Sequence, residues 1–225
     1  MIDIHINLTY RFLRRLLGQL GIALPFILIN GMGNGFDIEP SISDYYYTKM
    51  GTVFTGILIA FGLFLFSYRG HEIKPEKGEK ISDNRITNAA GLFAIATALI
   101  PTQIAEEARY ACGVVPCPDS SIWGAIHLTC AALFLLIMGI TAMTKFCIGT
   151  QKPWMKTYFR ISGAVVILSI LFMAVYIFLF PEDRRPFNNG VFWGEFVALL
   201  AFGSAWLIKG RIEEIWIFKM FKSKN

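Results

Sequence analysis

Six long apolar runs cover most of this 225-residue chain. A helix needs about 20 mostly apolar residues to cross a hydrocarbon core about 30 Å thick. Each run is close to that length, and only the last contains a carboxylate, Glu195. The sequence therefore predicts an all-α integral membrane bundle of six transmembrane helices in a single domain, residues 1–225. The predicted spans are 16–36, 51–68, 86–104, 120–144, 161–180 and 187–208.

The composition agrees with a membrane protein and argues against a soluble one. Hydrophobic residues make up 55% of the chain and charged residues only 16%, whereas a soluble domain carries about 25% charged residues. The net charge of +5 comes from short loops between the apolar runs, where membrane topology explains it. We therefore predict no nucleic acid partner.

The basic residues are distributed unequally between the two sides of the predicted bundle. One side holds 17 of the 21 lysines and arginines, and the other side holds 4. Lysine and arginine accumulate on the cytoplasmic side of membrane proteins with short loops. We therefore predict a protein of the bacterial inner (cytoplasmic) membrane with both termini inside, N-in and C-in. The basic segments are 1–15, 69–85, 145–160 and 209–225.

The two ends of the chain need separate interpretation. A basic stretch before an apolar run is also typical of a signal peptide, but the run after Arg15 is too long for one and lacks a small-residue cleavage pattern. We expect it to be retained as the first helix. The tail, residues 209–225, mixes aromatic residues with lysines, which is typical of an amphipathic segment on the anionic inner leaflet.

Proline and glycine predict local features of the helices. Pro101 removes one backbone hydrogen bond, so we expect a kink near the outer end of the third helix. Small residues let neighbouring helices approach closely. We expect this packing role for Gly51, Gly56, Gly62, Gly91, Gly163, Gly203, Ser204 and Ala205.

Cysteine and histidine positions bear on disulfides and metals. Cys112 and Cys117 bracket a short loop on the predicted outer side, where a disulfide is chemically permitted, and we expect these two residues to be bridged. His5 and His71 are predicted inside and His127 towards the outside, so they cannot share a metal ion. We predict no metal site and no cofactor, and the chain has no HExxH, GxSxG, P-loop or dinucleotide fingerprint.

Two ionisable residues inside the predicted spans mark the candidate site, because such groups are costly in a membrane. Counted from the outer ends of their runs at 1.5 Å per residue, His127 and Glu195 both lie about 8–10 Å deep. We expect them to meet, with Ser43, Asp44 and Gln103 at the same level as further binding residues.

This site has several open interpretations. The His–Glu pair is either a buried polar pair that fixes helix packing or part of an outward-facing polar pocket. Alternatively, the Glu195 side chain reaches up to the membrane interface, where it meets Arg184 or Arg185. Catalysis would use His127, Glu195 and Asp44, and serine nucleophile chemistry at Ser41 or Ser43 with His127 and Asp44 is a further option.

Several segments of the chain resemble known membrane proteins. They are Pro40–Thr48, Gly62–Gly70, Asn88–Gly91, Pro101-Thr102, Phe192–Glu195 and Ala201–Gly210. Together they resemble a group of bacterial six-helix integral membrane proteins of unknown function. The Pro-Ser-Ile-Ser sequence at residues 40–43 is also similar to the FRAG/DRAM/Sfk group, which implies a connection with lipid handling and GPI-anchor maturation. The resemblance carries no catalytic residue over to this chain.

Three classes of function remain. The first is a lipid-associated membrane protein with an outer-leaflet polar pocket, its partners being membrane lipids and, as an open option, a second copy or another membrane protein. The second, a small transporter or channel subunit, is disfavoured because the spans lack midplane charges and visible inverted repeats. The third is a lipid-modifying membrane enzyme that uses His127 and Glu195.

Overall fold

The computed structural model describes residues 2–32, 38–68, 70, 81–102, 121–148, 150, 152–180 and 186–211, with side chains from Arg11 onwards except that of Ser121. Within these residues the fold contains six α-helices, two short 3-10 helices and no strand. The 3-10 helices are Ser43–Tyr47 and Lys145–Cys147. The α-helices are α1 Ile2–Gly31, α2 Gly51–Ser67, α3 Asp83–Leu99, α4 Ser121–Met143, α5 Pro153–Leu179 and α6 Gly190–Lys209.

Four helical stretches of the described chain are long and apolar enough to cross a membrane. They are Arg11–Gly31, Ile122–Cys147, Pro153–Leu179 and Gly190–Lys209. Helix α2 is equally apolar in character but has 17 residues, and α3 also has 17, so each is about 26 Å long at 1.5 Å per residue. The predicted all-helical class is thus confirmed for the described residues, with four helices long and apolar enough to span a membrane.

The helices form a ring in which chain neighbours pack side by side. Helix α2 packs against α3, α3 against α4, α4 against α5 and α5 against α6. Helix α1 packs against α6 and contacts α2, which closes the ring. Successive helices run in opposite directions. At one end Arg14 of α1 donates a hydrogen bond to Tyr68 after α2 at 2.9 Å, and Lys145 after α4 pairs with Asp83 at the start of α3 at 3.4 Å.

The ends of α3 follow from its flanking residues. Ser82 caps its first turn by accepting a hydrogen bond from the Arg85 backbone N–H at 3.3 Å, as N-cap serines do. The helix ends at Leu99, and Ile100 is extended with φ −89° and ψ 117°. The predicted kink at Pro101 is wrong, because proline disfavours a helical conformation in the residue before it. The proline terminates the helix instead of bending it.

Aromatic rings fill the centre of the ring of helices. Phe61 of α2, Phe134 of α4 and Phe202 of α6 contact one another with centroid distances of 5.5–6.2 Å. Nearer the end that holds Arg14 and Lys145, Trp206 packs edge-on against Tyr68, with the ring centroids 5.4 Å apart. Such ring pairs add about 0.5–1.5 kcal/mol each beyond the area they bury. The interior is therefore a packed core.

Reciprocal glycine pairs set the spacing of three helix contacts. A Cβ on Gly62 would lie 2.9 Å from the Gly91 carbonyl oxygen, and a Cβ on Gly91 would lie 2.8 Å from that of Gly62. The predicted packing role is therefore confirmed for these two residues. Gly56 has open space around it, so its predicted packing role is wrong. The other reciprocal pairs are Gly18 with Gly203 and Gly139 with Gly163.

We expect Gly62→Leu to lower the free energy of unfolding by about 1–3 kcal/mol, the usual cost of overpacking a close contact. Gly56→Leu on the same helix is the matched control, and we expect a change within about 0.5 kcal/mol. Thermal unfolding of the detergent-solubilised variants measures the difference. Equal melting temperatures for both variants would contradict the close α2–α3 contact.

Candidate functional site

The segment between α1 and α2 folds over one end of the ring of helices. We call its described part, Ile38–Met50, the connecting segment. It contains the first 3-10 helix, Ser43–Tyr47, and it buries Ile42 and Tyr45 completely or almost so. Gly51 follows it, and a Cβ there would lie 2.2 Å from the Tyr46 carbonyl oxygen, so only glycine allows this close turn into α2.

The first turns of α6 hold the start of the connecting segment. The backbone N–H groups at the beginning of a helix lack partners within the helix. The Phe192 N–H donates to the Pro40 carbonyl oxygen at 2.9 Å. One turn further along α6, the Glu195 carboxylate accepts a hydrogen bond from the Ile42 N–H at 2.5 Å. These bonds satisfy backbone polar groups of both elements, among them those of the buried Phe192 and Ile42.

His127 of α4 connects the connecting segment to the end of α3. Its Nε2 lies 2.9 Å from the Ser43 Oγ, and its Nδ1 lies 2.6 Å from the Ile100 carbonyl oxygen. Proline has no N–H, so Pro101 cannot donate to the Thr97 carbonyl as the next helical residue would. The imidazole thus occupies the position where the carbonyl groups of α3 lose their helical partners.

The partner of Nδ1 determines the tautomer of this imidazole. A carbonyl oxygen only accepts hydrogen bonds, so in the neutral ring Nδ1 carries the proton and Nε2 carries the lone pair. The Ser43 hydroxyl therefore donates to His127 Nε2. Both side chains are buried, with 7% of Ser43 and 2% of His127 exposed, so water competes little for this bond.

Further hydrogen bonds give the connecting segment its local shape. The Ser41 hydroxyl donates to the Asp44 carboxylate at 2.8 Å, and the Asp44 N–H donates to the Ser41 oxygen at 3.1 Å. The Tyr47 hydroxyl donates to the Thr102 carbonyl oxygen at 2.6 Å. Burial, with smaller effects of nearby Tyr46 and Asp44, raises the pKa of Tyr47 to about 12. Its phenol consequently stays protonated and remains a donor at neutral pH.

Four of the residues predicted for the site lie together at this end of the protein. Ser43 and Asp44 belong to the connecting segment, and His127 and Glu195 bind it. No hydrogen bond or ion pair joins His127 to Glu195 among the described residues; they hold the adjacent residues Ser43 and Ile42 instead. The Ile100 carbonyl was not predicted as part of the site, although Pro101 indicates that carbonyl groups just before it lack helical donors.

Other predicted residues lie outside the described part of the chain. They are Gln103, the expected disulfide partners Cys112 and Cys117, and the arginines Arg184 and Arg185. The described cysteines, Cys130 and Cys147, are free thiols. Within the described ranges no group of three or more His, Cys, Asp or Glu residues is arranged to hold a metal ion.

An open apolar groove of about 360 Å³ runs along the surface between α5 and α6. Ser169 is its one hydroxyl-bearing lining residue, and Trp193 lies on its α6 side. Gly194 lets α5 and α6 approach closely beside the groove, because a Cβ there would lie 2.5 Å from the Met173 side chain. The lining residues are Val165, Leu168, Ser169, Phe172, Trp193, Gly194 and Val197.

We expect Glu195→Leu to lower the free energy of unfolding by about 1–3 kcal/mol, because it leaves the buried Ile42 N–H without an acceptor. Glu195→Gln keeps an acceptor oxygen at the same place, and we expect it to lose less than half as much. Denaturation in mixed micelles measures both values. A Glu195→Leu protein as stable as the parent would contradict an anchoring role for this carboxylate.

Comparison with known proteins gave no match. No family model, no curated protein and no solved structure matches this chain. The resemblance to bacterial six-helix membrane proteins and to the FRAG/DRAM/Sfk group therefore stays a prediction. The chemistry of the site rests on the contacts that His127, Glu195 and the connecting segment make with one another.

Proposed function

We propose that this chain is a lipid-associated protein of the bacterial inner membrane, with six spans and both termini in the cytoplasm. The observation that carries the proposal is the open apolar groove between two helices of spanning length, α5 and α6. In a bilayer such a groove faces acyl chains, and burying a methylene group is worth about 0.8 kcal/mol. We propose a lipid acyl chain as its occupant.

The packing of the helices supports six spans rather than four. Helices α2 and α3 are short, but they pack against each other, and α3 packs against α4, which is long enough to span. Asp83 at the start of α3 pairs with Lys145 just after α4, and Ile100 after α3 bonds His127 near the start of α4. Helix α3 thus runs between the two ends of a spanning helix.

The distribution of charge supports the proposed orientation. At the end of the bundle opposite the connecting segment, Arg14 contacts the Tyr68 ring and hydroxyl, and Lys209 donates to the Phe146 carbonyl oxygen at 2.8 Å. Lys145 lies at the same end. Basic residues accumulate on the cytoplasmic side, so the connecting segment is proposed to face outwards.

The centre of the bundle argues against a channel or transporter. The rings of Phe61, Phe134 and Phe202 occupy the position where a central pore would run. At the outer end the connecting segment covers the helices. We therefore favour a role carried out at the lipid-facing surface and at the outer end. This fits the lipid handling implied by the similarity to the FRAG/DRAM/Sfk group.

The orientation predicts the activity of topology reporters. Alkaline phosphatase folds only outside the cytoplasm, so we expect an active fusion after Lys49 and an inactive fusion after Lys152. Green fluorescent protein fused at the same two positions is the control and gives the reverse result. Active phosphatase after Lys152 would overturn the proposed orientation.

Native mass spectrometry of the purified protein tests the lipid groove. We expect retained phospholipid on the parent chain and about tenfold less on Val197→Trp, since an indole in the groove displaces about two methylene groups. Val175→Trp is the matched control, because Val175 is about half-exposed on α5 and does not line the groove. Equal lipid retention by both variants would argue against the groove as the lipid site.

A further inference from the structure

We propose that Ser43 is a catalytic nucleophile and His127 its general base, in a site that cleaves or transfers acyl esters. This catalytic role goes beyond the proposed lipid association, and the geometry of the two side chains points to it. Ser43 Oγ and His127 Nε2 are 2.9 Å apart, within the 2.6–3.2 Å that general-base activation of a serine requires. A third group orients the base, as in the serine triads.

The third group is the Ile100 carbonyl oxygen, 2.6 Å from His127 Nδ1. In a triad, an acceptor at Nδ1 holds the ring in the tautomer whose Nε2 lone pair faces the nucleophile. The Ile100 carbonyl does this here, because it accepts the Nδ1 proton and cannot donate. It also stabilises the imidazolium that forms when Nε2 takes up a proton.

The proposed reaction has two steps, acylation of Ser43 and then its deacylation. Ser43 Oγ attacks the carbonyl carbon of an ester while its proton moves to His127 Nε2. The ester C–O bond then breaks, the leaving alkoxide takes that proton, and an alcohol departs from the acylated serine. In the second step a water molecule attacks the acyl carbon and gives a proton to His127, which returns it to Ser43 as the carboxylic acid leaves. A lipid alcohol in place of water would make the same step an acyl transfer.

The position of the pair indicates the substrate class and rests on the proposed membrane placement. His127 lies six residues after the start of α4 at Ser121, which is about 9 Å along the helix. That depth lies near the boundary between headgroups and acyl chains, where the ester groups of glycerolipids are found. We therefore propose a lipid acyl ester of the outer leaflet as the substrate.

Ser41 shows what distinguishes Ser43. Its hydroxyl belongs to the same segment, but its proton is donated to the Asp44 carboxylate at 2.8 Å. A carboxylate has an ordinary pKa near 4 and is a weaker base than imidazole. Ser41 is thus a serine of equal type and similar burial without an activating base.

An alkyl fluorophosphonate tests the proposal, because it forms a stable adduct only with an activated serine. The full-length protein in detergent is incubated with the probe, and peptide mass spectrometry locates the adduct. We expect the adduct on Ser43 and none on Ser41. Ser67→Ala is the control variant, because the Ser67 hydroxyl bonds the Leu63 carbonyl at the far end of α2, and we expect it to react at the rate of the parent chain.

His127→Gln separates catalysis from structure. An amide is able to donate to the Ile100 carbonyl and accept from Ser43, so the hydrogen bonds persist, but it cannot take up a proton. We expect the labelling rate of Ser43 to fall about 100-fold or more, the usual contribution of a general base, with little change in melting temperature.

Three results would each overturn the proposal: no adduct on Ser43 in the folded parent protein, an adduct at Ser43 that His127→Gln forms equally fast, or an adduct on Ser41 alone. The labelling does not depend on orientation or on the α5–α6 groove. Failure of the topology or lipid experiments with Ser43 labelled would therefore remove the proposed function and leave the nucleophile.

Discussion

Backbone polar groups without helical partners determine how this end of the protein is built. Pro101 deprives the end of α3 of a donor, and the start of α6 presents N–H groups that its own helix cannot satisfy. An unpaired buried group costs about 1–3 kcal/mol, and hydrocarbon offers no water to replace the partner. His127 donates to the Ile100 carbonyl after α3, the Pro40 carbonyl accepts from the Phe192 N–H of α6, and Glu195 accepts from the Ile42 N–H of the connecting segment. The connecting segment is for this reason a packed part of the bundle and not a loose loop.

The sequence predicted the helices well and their ends less well. Long uncharged runs identify helices because spanning segments must be apolar over their whole length. Helix ends depend on local capping instead: α3 was predicted over 86–104 but occupies Asp83–Leu99, since Ser82 caps its start and Pro101 terminates it. Helix α5 begins at Pro153, eight residues before the predicted run, because its first two turns are charged and no hydropathy pattern detects them.

The sequence predicted the depth of the candidate site in the bundle but not the contacts that its residues make. Counting residues from the ends of the apolar runs placed His127 and Glu195 at one depth, and both do bind the same segment. The partners themselves lie 84 residues apart for His127 and Ser43 and 153 apart for Glu195 and Ile42. Pairings at such separations depend on the order in which the helices pack around the bundle, where α1 lies against α6. Nothing in the local sequence encodes that order.

The connecting segment covers Ser43, so reaction at this serine requires the segment to open. Four hydrogen bonds from Pro40, Ile42, Ser43 and Tyr47 attach the connecting segment to α3, α4 and α6. At about 1 kcal/mol each, the three bonds other than Ser43–His127 contribute about 3 kcal/mol, and the burial of Ile42 and Tyr45 adds to the cost of opening. The 3-10 helix that carries Ser43 also has poorer hydrogen-bond geometry than an α-helix. Opening that breaks the other three bonds and keeps the Ser43–His127 bond would expose the serine beside its base, because Ile100 still holds the imidazole.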